Sequence, residues 1–150
     1  MNEQEIHHLL YDIPENVDYT DISQELDLED VPKERVDKLR DLLHSDDLAV
    51  RFDAALLLTN WGGVEDGLNT LIDLFEKGET KGFIPHHLHP YDDTNKHILD
   101  ALIGYWASQT DLHKEQEARK RIYPTIISII KQAVHSAYSI AQIGFLIKKI

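Results

Sequence analysis

Just before residue 100 the chain crowds His86, His87 and His89 together with Tyr91, Asp92 and Asp93, followed by His97. Imidazole nitrogens and carboxylate oxygens are ligands for zinc and similar ions, and neighbouring histidines reduce the entropy of assembling such a site. A metal-dependent hydrolase or oxygenase built on His86, His87, His89, Asp92 and His97 is therefore one reading. The spacing does not follow it. There is no HExxH segment and no His-x-x-x-His pair on one helix. The alternative is a surface loop, with Pro85 and Pro90 fixing its course, Asp92, Asp93 or Thr94 capping the next helix, and the histidines facing solvent or a partner. That reading assigns no metal ligand and no cofactor.

Other chemistry has less support. His7 and His8 are adjacent, so on a helix their side chains diverge by about 100° and do not form one site. Asp46-Asp47 and Asp92-Asp93 resemble acid/base pairs, yet both precede helical patterns, where capping and the helix dipole account for them. No Gly-x-Ser-x-Gly elbow, phosphate-binding Gly-x-x-x-x-Gly-Lys loop or Gly-x-Gly-x-x-Gly turn occurs. With no Cys, disulfides, thiolate catalysis, iron–sulfur clusters and Cys-based zinc sites are closed. An enzyme is not expected.

Charge gives a more positive indication. The 150 residues carry 27 Asp+Glu against 15 Lys+Arg, a formal net charge of −12. Residues 1 to 32 hold ten of the acids and no Lys or Arg, whereas residues 111 to 150 hold seven Lys+Arg against three acids. A phosphate backbone is repelled by such an amino-terminal segment, so nucleic acid is not an expected partner. A basic protein is.

The elements that position these residues read as helices. Val36, Leu39, Leu42 and Leu43 form one stripe, ending at His44 with Ser45-Asp46-Asp47 as turn and cap. Ala49, Phe52, Ala55, Leu56 and Thr59 form a second, stopped by Trp61-Gly62-Gly63. Leu68, Leu71, Ile72 and Phe75 form a third. Gly82, Pro85 and Pro90 break the pattern from Glu79 to Asp93, and helix resumes at Asp93 or Thr94 to stop near Gln109 to Asp111. A long helix from about Asp111 to Val134, kinked at Pro124, and a last helix from Ala137 to Lys149 follow, with His135-Ser136 between them. No period-2 alternation is sustained. One domain of 1–150 is expected, with an acidic amino-terminal segment at 1–31 and helix pairs at 32–63, 64–109 and 111–150.

Membrane and export signals are weak. Ile122 to Ile147 has only Lys131 and His135 as ionisable groups, but Pro124, serines and glutamines interrupt what would have to be about 20 apolar residues. Acids in Asn2 to Asp12 oppose a secretory signal, so no membrane and a cytoplasmic location are the expectation.

Internal similarity supports stacking. Asp46-Asp47 precedes Phe52-Asp53-Ala54-Ala55-Leu56, and Asp92-Asp93 precedes Leu99-Asp100-Ala101-Leu102-Ile103 at nearly the same interval. Repeated helix pairs bury their second faces on one another. The run Leu39 to Leu43, then Asp46 to Ala55, then Trp61-Gly62-Gly63, resembles a HEAT-type helical repeat, with Asp47 in the turn, Val50-Arg51 at the start of the second helix and Ala54-Ala55 at its crossing. The resemblance implies an all-α, short α-solenoid of about three helical hairpins, a right-handed stack. In size, acidity and repeat type the chain also resembles immunity proteins of contact-dependent growth inhibition systems. That likeness implies a protein that blocks a cognate toxin domain, often a basic nuclease, as a monomer or weak homodimer. On charge density and loop position, Asp18, Asp21, Glu25, Asp27, Glu29 and Asp30 are expected to steer the partner, and His89, Tyr91, Asp92 and Trp106 to touch it. A HEAT-like scaffold for a housekeeping protein shares the same architecture.

Overall fold

The computed structural model describes residues 1–85 and 92–133. The expectations for His86, His87, His89 and Tyr91, for the break at His135-Ser136 and for the helix from Ala137 to Lys149 lie outside the described residues. Among the described residues the protein is all-α. Six helices follow in order: α1 (Glu3–Tyr11), α2 (Lys33–Leu42), α3 (Leu48–Trp61), α4 (Glu65–Glu76), α5 (Thr94–Asp111) and α6 (Glu115–Ala133). Two 3-10 turns, Ser23–Glu25 and Leu28–Asp30, lie between α1 and α2.

Local chemistry sets the boundaries. Asp47 Oδ1 accepts the Ala49 and Val50 N–H groups at 3.0 and 3.4 Å, removing orphan donors from the start of α3. Gly62 ends α3 at φ +73°, a conformation that a side chain would strain. The expected start of the long helix near Asp111 is corrected to Glu115. Lys114 N–H folds back to the Gln109 carbonyl at 2.8 Å, and His113 takes φ +58°, so a turn separates α5 from α6. From Glu115 the helix continues through Pro124 to Ala133. No helix of the described residues is long and apolar enough to cross a membrane.

Helix α3 is the centre of the core. It packs against α2, α4, α5, α1 and the first 3-10 turn. Its apolar surface is correspondingly wider than the expected stripe: Ala54, Leu57, Leu58 and Trp61 are buried as well, and Ala49 is exposed. Burying an aliphatic side chain of this kind contributes about 1.5–3 kcal/mol. The 64–109 unit does not close on itself. Helix α5 lies mainly against α3 and only lightly against α4. Gly104 permits that approach, because a Cβ there would stand 2.8 Å from the Asn60 carbonyl oxygen.

The acidic amino-terminal segment is stitched to this body. Trp61 Nε1 donates to the Ser23 carbonyl at 2.8 Å, and Ser23 Oγ donates to the Leu10 carbonyl at 2.7 Å. Arg35 sits over the Trp61 ring, its Cζ 5.5 Å from the centroid, and donates from Nε to the Leu9 carbonyl and from Nη1 to that of Asp12. Leu10, Leu26 and Val31 join the core. The charged residues between them are exposed, apart from the half-buried Asp30.

Candidate functional site

The second 3-10 turn and the carboxy-terminal ends of α3 and α5 enclose a groove of about 780 Å³. Glu25, Asp27 and Glu29 line it from the 3-10 segment. Gln109 and Asp111 line it from the end of α5. Small residues, Gly62, Gly63, Gly104 and Ala107, complete the lining. No Lys, Arg or His lines the groove. The missing side chain of Gly62 is structural, since a Cβ at that position would lie 2.0 Å from Ser108 Oγ.

Two other clefts carry cations. One between α1 and α2 is lined by Glu5, Asp12, Glu15 and Glu34 but also by His8, Arg35 and Lys38. One on α6 is lined by Arg119, Lys120 and Tyr123, and is basic. The carboxylates of the large groove are therefore neither neutralised nor compensated by a cation on its walls. Two helix carboxy-termini, each equivalent to about half a negative charge, add to them.

Compared with known proteins, the chain matches no family model, no curated protein and no solved structure. The site is argued from its own geometry.

The structure brings together only part of the expected contact set. Glu25, Asp27 and Glu29 share the groove. Asp18 and Asp21 are exposed on the connection that follows α1. Asp30 is engaged within the segment, where it accepts the Tyr19 hydroxyl at 2.8 Å. Tyr19 in turn accepts the Asp27 N–H at 2.9 Å. That last bond draws the phenol pKa down, but desolvation and the carboxylates of Asp30 and Asp27 outweigh it and hold the phenol above 10.0. Trp106 is half-buried against the core and does not line the groove. His89 and Tyr91, as stated, lie outside the described residues.

Asp92 has a structural task. Its carboxylate accepts Gly82 N–H at 2.8 Å, Thr94 N–H at 3.0 Å and Thr94 Oγ1 at 2.6 Å. Beside it, Asp93 N–H donates to the Ile84 carbonyl and Ile84 N–H to Thr94 Oγ1. Phe83 stacks on Phe52 at 4.9 Å. Together these contacts close the neck of the loop. Burial pushes the Asp92 pKa up, yet the hydrogen bonds from Thr94 and Gly82, helped by Lys81, outweigh it and hold the carboxyl below its ordinary value. His97 is exposed on α5.

Sequence reasoning missed Asp111 and Gln109 as site residues. Both were legible as the end of a helix, and Trp61-Gly62-Gly63 as the end of another. Nothing in their spacing signals that the two ends meet.

Proposed function

We propose that the protein is a binding protein that occludes a basic partner, most concretely an immunity protein that neutralises a cognate toxin domain in the cytoplasm. The observation that carries this reading is the groove whose charged residues are all acidic, Glu25, Asp27, Glu29 and Asp111. Charge of one sign in a concave surface focuses the field, raises the rate of encounter with a cation-bearing partner and disfavours acidic ones. A nuclease cleft offers the matching surface, because the residues that hold phosphates are equally served by carboxylates. Blocking such a cleft needs no bond-making by the inhibitor. The absence of nucleophile and phosphate-loop motifs from the sequence accords with that role.

The test is protection and binding together. The gene adjacent to this one is expected to encode a secreted toxin, and co-expression of this chain is expected to rescue cells from that toxin's terminal domain. Affinity of the purified pair should fall steeply as salt rises, and lysine at Glu25, Asp27 and Glu29 together should abolish it. Unimpaired killing, or an affinity indifferent to salt and to charge reversal, would defeat the reading.

A further inference from the structure

Where the acidic segment meets α3, one carboxyl has no partner. Asp53 is half-buried and makes no side-chain hydrogen bond or ion pair among the described residues. It lines a cavity of about 30 Å³ together with Leu10 and Tyr11 of α1, Gln24 of the first 3-10 turn, and Leu56 and Leu57 of its own helix. Such a space holds about one or two waters. No cation reaches it. Residues 1 to 32 contain no Lys or Arg, α2, α4 and α5 place no residue on the cavity, and α3 itself contributes the like charge of Asp47. The imidazole on the α1 side is that of His7, its ring 4.8 Å from that of Tyr11. Burial, then Asp47, hold the Asp53 carboxyl above its ordinary 3.8, and burial, then Asp53, hold the Tyr11 phenol above 10.0.

We infer that Asp53 is a proton-operated latch for the amino-terminal acidic segment, closing α1 and the first 3-10 turn onto α3 when protonated and loosening them when ionised. An ionised carboxyl loses hydration in the closed seam and regains it when the segment lifts, whereas the neutral acid loses far less. The ten acids of residues 1 to 32 add like charge to the ionised form. Linkage fixes the sign. Burial under the segment raises the carboxyl, so closing takes up a proton. Closure therefore gains stability as the pH falls through the closed-state value towards 3.8, and loses it as the pH rises. Gln24 lines both this cavity and the large groove, so the latch also governs how firmly the 3-10 segment is set against the groove. The latch stands whether or not that groove takes a basic partner.

The experiment is amide hydrogen exchange on the full chain at about pH 7.5 and about pH 5, expressed as protection factors so that the intrinsic pH dependence of exchange cancels. The reporters are the N–H groups of Glu25 and Leu26, which bond to the Ile22 and Ser23 carbonyls. In the parent their protection is expected to lie below that of α4 and to rise severalfold on acidification. In Asp53→Asn it should start at the higher value and change little. His7→Gln should keep the parent's rise. A rise that persists in Asp53→Asn, or that vanishes in His7→Gln, would overturn the latch. So would a rise confined to the amides of α4, because the proton would then be linked to the body and not to the segment. Identical protection at Leu26 and in α4 at both pH values would leave the segment no opening of its own, with the same consequence.

Discussion

Carboxylates in the groove and the carboxylate at the loop neck are the same chemical group put to opposite uses. Asp92 is consumed by the fold, holding three donors from Gly82 and Thr94. Asp27, Glu29 and Asp111 hold none among the described residues and face a cavity without a cation on its walls. A carboxylate whose acceptor capacity is spent on its own backbone stabilises a structure, and one left unspent beside a concave surface is available to a partner. Density of acids along the chain does not distinguish the two. Hydrogen bonding does.

Variants can break or sharpen this contrast, and the largest effect is expected at Gly62. Gly62→Ala forces a Cβ onto Ser108 at a positive φ, and should cost about 3 kcal/mol or more in urea unfolding, with loss of the groove. Next, Trp61→Phe leaves the Ser23 carbonyl without its indole donor, a loss of about 1–3 kcal/mol. Hydrogen exchange should then show the amides of Leu26 and Val31 opening before those of α4. If both regions open together, the segment is not held by Trp61.

The direct comparison follows. Asp92→Ala should destabilise by about 1–2 kcal/mol, and Asp27→Ala and Glu29→Ala by less than about 0.5 kcal/mol each, measured by thermal or chemical unfolding. Equal costs would erase the distinction. The pH dependence has a definite sign: the folded Asp92 pKa lies below the ordinary 3.8, so its stabilisation is present above that value and is lost as the pH falls below it. The stability gap between the parent and Asp92→Asn should therefore narrow on acidification below pH 3.8. The smallest effect is expected at Asp53, a half-buried carboxyl that burial and Asp47 hold above its ordinary pKa. Asp53→Asn should raise the melting temperature slightly at neutral pH, and the gain should shrink as acid protonates the parent.

Much of the helical framework was legible because its signals are local. Asp47 before an apolar run, Gly62 after Trp61 and the proline-rich interval after Glu79 each act within a few residues, and the structure places α3, α4 and α5 accordingly. The start of α6 was misplaced by four residues, Asp111 against Glu115, because a His taking a left-handed conformation carries no compositional mark. Of the candidate site, Glu25, Asp27 and Glu29 were legible as part of an acidic segment. Their separation from Asp18, Asp21 and Asp30 was not.

The amino-acid order alone determined helix content, the main breaks and the uneven charge, since propensity, capping and composition depend on a residue and its near neighbours. Tertiary packing decided which charges share a surface. Ser23 meets Trp61 across 38 positions, and Gly104 lets α5 press against α3 so that Asp111 and Glu29 line one groove. Such meetings depend on the fit of buried shapes distant in the chain, and periodicity carries no record of them.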